Sequence, residues 1–138
     1  MYNLSVELLK SFGLKATPQR IEILTAIESM GHANIDEIYE FAKKNNPTMS
    51  LATVYKNVTA LVDKSILKEV SLNNFKSKYE TTKEKHAHLV CRKCGNVKDI
   101  SLNNNILVDS KIISKKEKFN AQEVELNIYG ICNSCKEL

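Results

Sequence analysis

The chain has 138 residues, 43% hydrophobic and 26% charged, with four glycines and two prolines. That composition excludes a mainly disordered or low-complexity protein and suffices for one ordinary domain or two small ones sharing a short linker. Residues 1–7 lack the basic start and apolar run of a signal peptide, and no apolar stretch approaches the roughly 18 residues that span a bilayer. The expected location is therefore the cytoplasm, without a membrane partner, where cysteines stay reduced and serve metals or redox chemistry. Net charge is +4, with 10 basic and 9 acidic residues up to Glu80 and 10 and 7 after it. A nucleic-acid partner would thus need the positive charge arranged as a patch on one face.

Leu4, Leu8, Leu9 and Phe12 have helical spacing, and Gly13 stops that first short helix. Thr17 before Pro18 is an N-cap followed by proline at the first helical position, and Ile21, Leu24 and Ile27 carry a second helix to Gly31. Asn34 opens a third, striped by Ile35, Ile38, Tyr39 and Ala42 and closed by Asn45-Asn46-Pro47. Ser50 can cap a fourth, in which Leu51, Val54, Val58, Leu61 and Val62 form one packed face while Ala52, Thr53, Lys56, Ala60 and Asp63 point outward. Two β-rich runs, 66–72 and 76–82, flank Asn73-Asn74-Phe75 and predict a hairpin. Helices followed by a hairpin describe a winged helix-turn-helix over residues 1–82. The pattern alone equally describes a small helical domain with a hairpin and no DNA partner.

Composition changes after Thr82. Strands are expected over 86–91, 97–102 and 123–131 and a helix over 105–118, giving a second, small α/β unit over 83–138 and an α+β chain. A unit of this size buries little core alone, so a metal staple and oligomerisation are the expected remedies.

All four cysteines fall in two C-x-x-C pairs, Cys91/Cys94 and Cys132/Cys135. Each such turn directs two thiolates to one point, and two turns supply the tetrahedral sulfur set that Zn2+ prefers. The 37 residues between the pairs exceed a zinc-ribbon spacer, so the fold must bring the two knuckles together. The competing reading is a thioredoxin-like redox pair; neither pair is expected between a strand and the start of a helix, and one pair would have no role. His86 and His88 share one face of a strand, whereas Cys91 has the opposite parity, which points to a second site distinct from the sulfur one. Glu80 and Asp99 are within reach of the same strands. Nitrogen and oxygen ligands without thiolate suit Fe2+ or Mn2+ as well as Zn2+ and keep the ion exchangeable. Spacing alone leaves ordinary surface histidines as the alternative.

Four ordered segments resemble the signature segments of the ferric uptake regulator family: residues 14–20 (LKATPQR), 32–39 (HANIDEIY), 50–57 (SLATVYKN) and 86–95 (HAHLVCRKCG). The resemblance runs from about residue 4 to 135. It implies a homodimer with an N-terminal winged helix that binds a double-stranded DNA operator and a C-terminal dimerisation domain. It implies structural zinc on Cys91, Cys94, Cys132 and Cys135, and a regulatory Fe2+ or Mn2+ on His32, Glu80, His86, His88 and Asp99. It makes Thr53 and Tyr55 candidates for base contact, Ser50, Lys56 and Asn57 for bases or phosphates, and Lys15 and Arg20 for the backbone, although Tyr55 at the edge of the apolar stripe has core packing as its alternative. Asp99 resembles the peroxide-sensing branch, in which iron-catalysed oxidation of a ligand histidine, here His32 or His86, relieves repression. Glu80 points the other way, toward an iron-responsive repressor of uptake genes. An enzyme acting on a small organic substrate is disfavoured: a thiol oxidoreductase needs a metal-free C-x-x-C, and a zinc hydrolase needs a pattern such as H-E-x-x-H, which is absent.

Overall fold

The caps foreseen in the N-terminal sequence set the helix boundaries. In a computed structural model, which describes residues 2–82, 86–101 and 104–136, helix α1 spans Tyr2–Ser11 and ends at Gly13, whose φ of 77° suits a residue without Cβ. Helix α2 (Pro18–Met30) starts where Thr17 Oγ1 accepts from the Arg20 N–H, and Gly31 caps its end. Helix α3 (Ile35–Asn45) opens on a complete capping box between Asn34 and Glu37, and α4 (Leu51–Asp63) opens on Ser50. Strands β1 (Leu67–Val70) and β2 (Lys78–Thr81) form the expected antiparallel hairpin, with Leu67 opposite Thr81 and Val70 opposite Lys78.

The chain divides into two compact units, Met1–Lys83 and Glu84–Leu138. In the first, α2 is the hub, packing against α1, α3, α4 and β2. That is why it buries Ile23 and Ala26 as well as the expected Ile21, Leu24 and Ile27. Leu9, Ile38, Val54, Val58, Leu61 and Leu67 complete the core. Each fully buried aliphatic side chain contributes about 1.5–3 kcal/mol. Two residues of the apolar stripes fall outside it: Phe12 is 40% exposed beyond the end of α1, and Leu51 is 40% exposed in the first turn of α4, where little packs over the helix start.

Among the described residues, the second unit is a three-stranded sheet in the order β4-β3-β5 with two helices. Strand β3 (His86–Cys91) pairs antiparallel with β4 (Val97–Ser101) and parallel with β5 (Asn127–Gly130). Helix α5 (Asn104–Lys116) forms the crossover between β4 and β5, and a short α6 (Asn133–Lys136) follows. The expected last strand, 123–131, is shorter in the structure. Leu102, given to the preceding strand by sequence, and the boundary at Lys83 lie outside the described residues. Among the described residues no helix is long and apolar enough to cross a membrane.

Candidate metal centres and nucleic-acid interface

The parallel pairing of β3 with β5 solves the problem posed by the long spacer between the cysteine pairs. Parallel strands end at the same edge of a sheet, and Cys91 lies in register with Gly130, so both C-x-x-C turns leave the sheet side by side. The first turn is closed by the Gly95 N–H donating to the Cys91 carbonyl at 2.9 Å, with Gly95 at φ 75°. The second is closed by the Cys135 N–H donating to the Cys132 carbonyl at 3.0 Å. One ligand atom from each of the four cysteines lies within 4.8 Å of the others. Cys94 Sγ and Cys132 Sγ are 3.8 Å apart, and a tetrahedron with metal–sulfur bonds of about 2.3 Å has edges of about 3.8 Å. The sulfur set therefore fits Zn2+, and all four cysteines are free, with no disulfide between them.

Backbone N–H groups of Cys132 and Cys94 point at Cys91 Sγ at 3.4 and 3.5 Å and lower its thiol to about 6. Cys135 is pushed up to about 12, chiefly by hydrogen bonding to Cys132 and then by burial. One expectation fails here: Cys132 does lie between a strand, β5, and the start of a helix, α6. The redox reading nevertheless loses its support to the four-sulfur geometry.

In the first unit, His32 and Glu80 form a pair. Ala33 and Tyr79 make an isolated antiparallel bridge, each N–H donating to the other's carbonyl at 3.1 and 2.8 Å. The bridge stitches the loop between α2 and α3 onto the outer edge of the hairpin, so the neighbours His32 and Glu80 face one another. His32 Nε2 lies 2.7 Å from Glu80 Oε2, and both residues are buried.

In the second unit, His86, His88 and Asp99 converge on one face of the sheet. His88 is directly opposite Asp99 across the β3–β4 ladder. Asp99 Oδ1 is 3.4 Å from His86 Nε2 and 3.7 Å from His88 Nε2, and the two imidazoles meet edge to face with centroids 4.6 Å apart. Cys91 lies on the opposite face, as its parity requires. The first unit thus carries a pair and the second a trio of nitrogen and oxygen donors of types suited to a borderline divalent ion.

The candidate DNA-contact residues divide into two groups. Tyr55 is 54% exposed, so core packing is excluded for it, and Lys56 is exposed beside it on α4. Lys15 is also exposed. By contrast Asn57 is engaged at both ends: its Oδ1 accepts from Arg20 Nε at 3.2 Å, and its Nδ2 donates to the Thr53 carbonyl at 2.9 Å. Arg20 also donates through Nη1 to the Lys15 carbonyl at 3.1 Å, which ties α2, the loop before it and α4 together. Ser50 Oγ accepts from the Thr53 N–H at 3.1 Å and lies 2.9 Å from Thr53 Oγ1, so both hydroxyls serve the start of α4.

The sequence model of the ferric uptake regulator family matches residues 11–129. The chain belongs to the ferric uptake regulator family. Among its relatives, the peroxide-responsive repressor PerR of Staphylococcus epidermidis is 31% identical over 134 residues, covering 96% of this chain and 89% of that protein. The peroxide operon regulator of Bacillus subtilis is also 31% identical, covering 96% and 92%. In structure the chain resembles the Campylobacter jejuni peroxide stress regulator, with 36% identity, a TM-score of 0.76 and coverage of 94% and 98%. It also resembles the Vibrio cholerae ferric uptake regulator, with 29% identity, a TM-score of 0.78 and coverage of 92% and 98%.

Within this family member, three features of the site escape sequence reasoning. The Ala33–Tyr79 bridge joins residues remote in sequence with no motif to announce it. The Arg20–Asn57 contact spans 37 positions and is visible only once α2 and α4 pack. The third is Asn127, whose Oδ1 lies 3.1 Å from His88 Nδ1; it became a neighbour of His88 only through the parallel β3–β5 register.

Proposed function

We propose that this chain is a homodimeric, metal-dependent, DNA-binding transcriptional repressor that senses hydrogen peroxide, working in the cytoplasm and not as an enzyme. The observation that carries the reading is the separation of two donor sets: a closed four-sulfur site, and histidine–carboxylate clusters without thiolate. Zn2+ would occupy the first as a structural ion. His32 and Glu80 from one unit would share a regulatory Fe2+ or Mn2+ with His86, His88 and Asp99 from the other. Ligands drawn from both units couple ion binding to domain arrangement, and the shift can be no larger than the differential affinity for the arrangement that binds DNA. The two α4 helices of a dimer would then enter successive major grooves of an operator.

Within that arrangement Tyr55 and Lys56 are the direct contacts from α4, and Lys15 and Arg20 meet phosphates. Asn57, Ser50 and Thr53 also hold the presenting surface in shape, Asn57 by orienting Arg20 and Ser50 by capping α4 through Thr53. The exposed apolar side chains of the second unit, among them Ile112, Ile113 and Ile128, are what a second copy would cover.

Fe2+ bound at the regulatory site would supply the electron that activates hydrogen peroxide beside His32 and His86. The names of the relatives from Staphylococcus epidermidis and Bacillus subtilis support peroxide as the signal, as does Asp99. The test is mass spectrometry of the Fe2+-loaded protein before and after low peroxide, with operator binding followed in the same samples. Addition of about one oxygen localised by fragmentation to His32 or His86, and not to the exposed Met30 beside His32, together with release of DNA, is expected, and Mn2+-loaded protein should keep its DNA. Intact histidines and intact binding would instead favour an iron-responsive repressor.

A further inference from the structure

We propose that Asn127 is a positioning residue that fixes the tautomer and ring orientation of His88 for metal binding. The inference rests on the assignment of His88 as a ligand of the regulatory ion. The parallel register sets Asn127 beside His88 on the sheet, and the His88 N–H donates to the Leu126 carbonyl at 3.0 Å, locking that register. On the other side of His88, Asp99 sits at the same level on β4. The imidazole is therefore flanked by an amide on one strand and a carboxylate on the other.

The two ring nitrogens face different partners. Nδ1 meets Asn127 Oδ1 at 3.1 Å, and Nε2 lies on the side of Asp99 Oδ1 at 3.7 Å. An amide oxygen only accepts, so the contact requires the proton on Nδ1. A neutral imidazole carries a single N–H, so Nε2 is left with its lone pair directed toward Asp99, the side on which His86 Nε2 also converges. His88 is 5% exposed, so water does not readily replace the amide. Asn127 adds no charge, which leaves Asp99 as the single carboxylate of the cluster among the described residues of this unit. A hydrogen bond to the non-ligating nitrogen of a ligand histidine also raises its basicity, and removing such a partner typically costs about 10–100-fold in metal affinity.

The chain has three histidines, so their ring nitrogens can be followed individually by NMR in 15N-histidine-labelled, zinc-retaining protein without regulatory metal. His88 should be in the Nδ1–H form in the wild type and lose that preference in Asn127→Ala. Mn2+ affinity should fall about 10–100-fold in the same variant. Asn127→Asp, whose carboxylate also accepts, should restore both. A wild-type tautomer and Mn2+ affinity in Asn127→Ala would overturn the inference while leaving the ligand assignment intact. Unchanged Mn2+ affinity in His88→Ala would overturn the assignment itself.

Discussion

Residues 1–83 bury Leu9, Ile23, Leu24, Ile27, Ile38 and Leu61 at 1% exposure or less, in one continuous cluster shared by four helices and a hairpin. Among the residues of 84–138 whose side chains are described, which leave out 102–109, the buried apolar ones are Ala87, Val90 and Cys91, while Phe119, Ile113, Ile112 and Ile131 are more than half exposed. The first unit carries its own stability in side-chain packing. The second supplements its sheet with a four-sulfur cluster suited to a metal staple and leaves several large apolar side chains exposed. The difference accords with size, because about fifty residues bury a smaller share of their surface on folding than about eighty do.

The largest expected effect separates the two units directly. Removing one zinc ligand, as in Cys132→Ser, should abolish retention of about one zinc ion per chain and collapse amide-exchange protection in β3, β4 and β5. Protection of α2 and α4 should persist. Structural zinc in small domains is worth on the order of 10 kcal/mol of folding energy, so unchanged protection in the sheet would refute the comparison. The reciprocal change, Leu24→Ala, should cost about 2–5 kcal/mol in the first unit, read as a loss of protection in its helices with zinc content unaltered.

The pH dependence of zinc affinity probes the staple more finely. In the metal-free chain Cys135 holds its proton up to about 12, so zinc must displace it at neutral pH, and affinity should rise about tenfold per pH unit for each displaced proton. Cys91 ionises at about 6, so its proton joins the competition only below that value and the dependence should steepen there by one proton. Chelator competition across that range measures the slope, and a constant slope through pH 6 would show that the backbone N–H groups do not depress Cys91. The smallest effect belongs to the first unit: Asn34→Ala removes the capping box of α3 and should lower stability by about 1 kcal/mol, measured by denaturant unfolding, with zinc binding unchanged.

Local chemistry made much of the first unit legible in the sequence. Thr17, Asn34 and Ser50 cap helices where their side chains meet backbone N–H groups three residues on, an interaction that needs no tertiary partner. The two C-x-x-C pairs and the shared parity of His86 and His88 are likewise local, and so were the donor types. Phe12 and Leu51 mark the limit, since a periodic stripe states which residues share a face but not whether anything packs over its ends. Tyr55, at the edge of such a stripe, was ambiguous for the same reason, and the structure leaves it exposed.

The sequence alone determined the starts of α2, α3 and α4, the hairpin, the pairing of the cysteines in two C-x-x-C turns and, through four ordered segments, the family, whereas the short helix α6 was not foreseen. Tertiary structure decided the pairings between residues distant in the chain. The parallel β3–β5 register brings together cysteine pairs with 37 residues between them and sets Asn127 beside His88. The Ala33–Tyr79 bridge delivers His32 to Glu80, and the packing of α2 against α4 commits Asn57 to Arg20. Periodicity and capping are properties of short segments, whereas strand order, register and helix packing arise only when distant segments compete to bury the same surface.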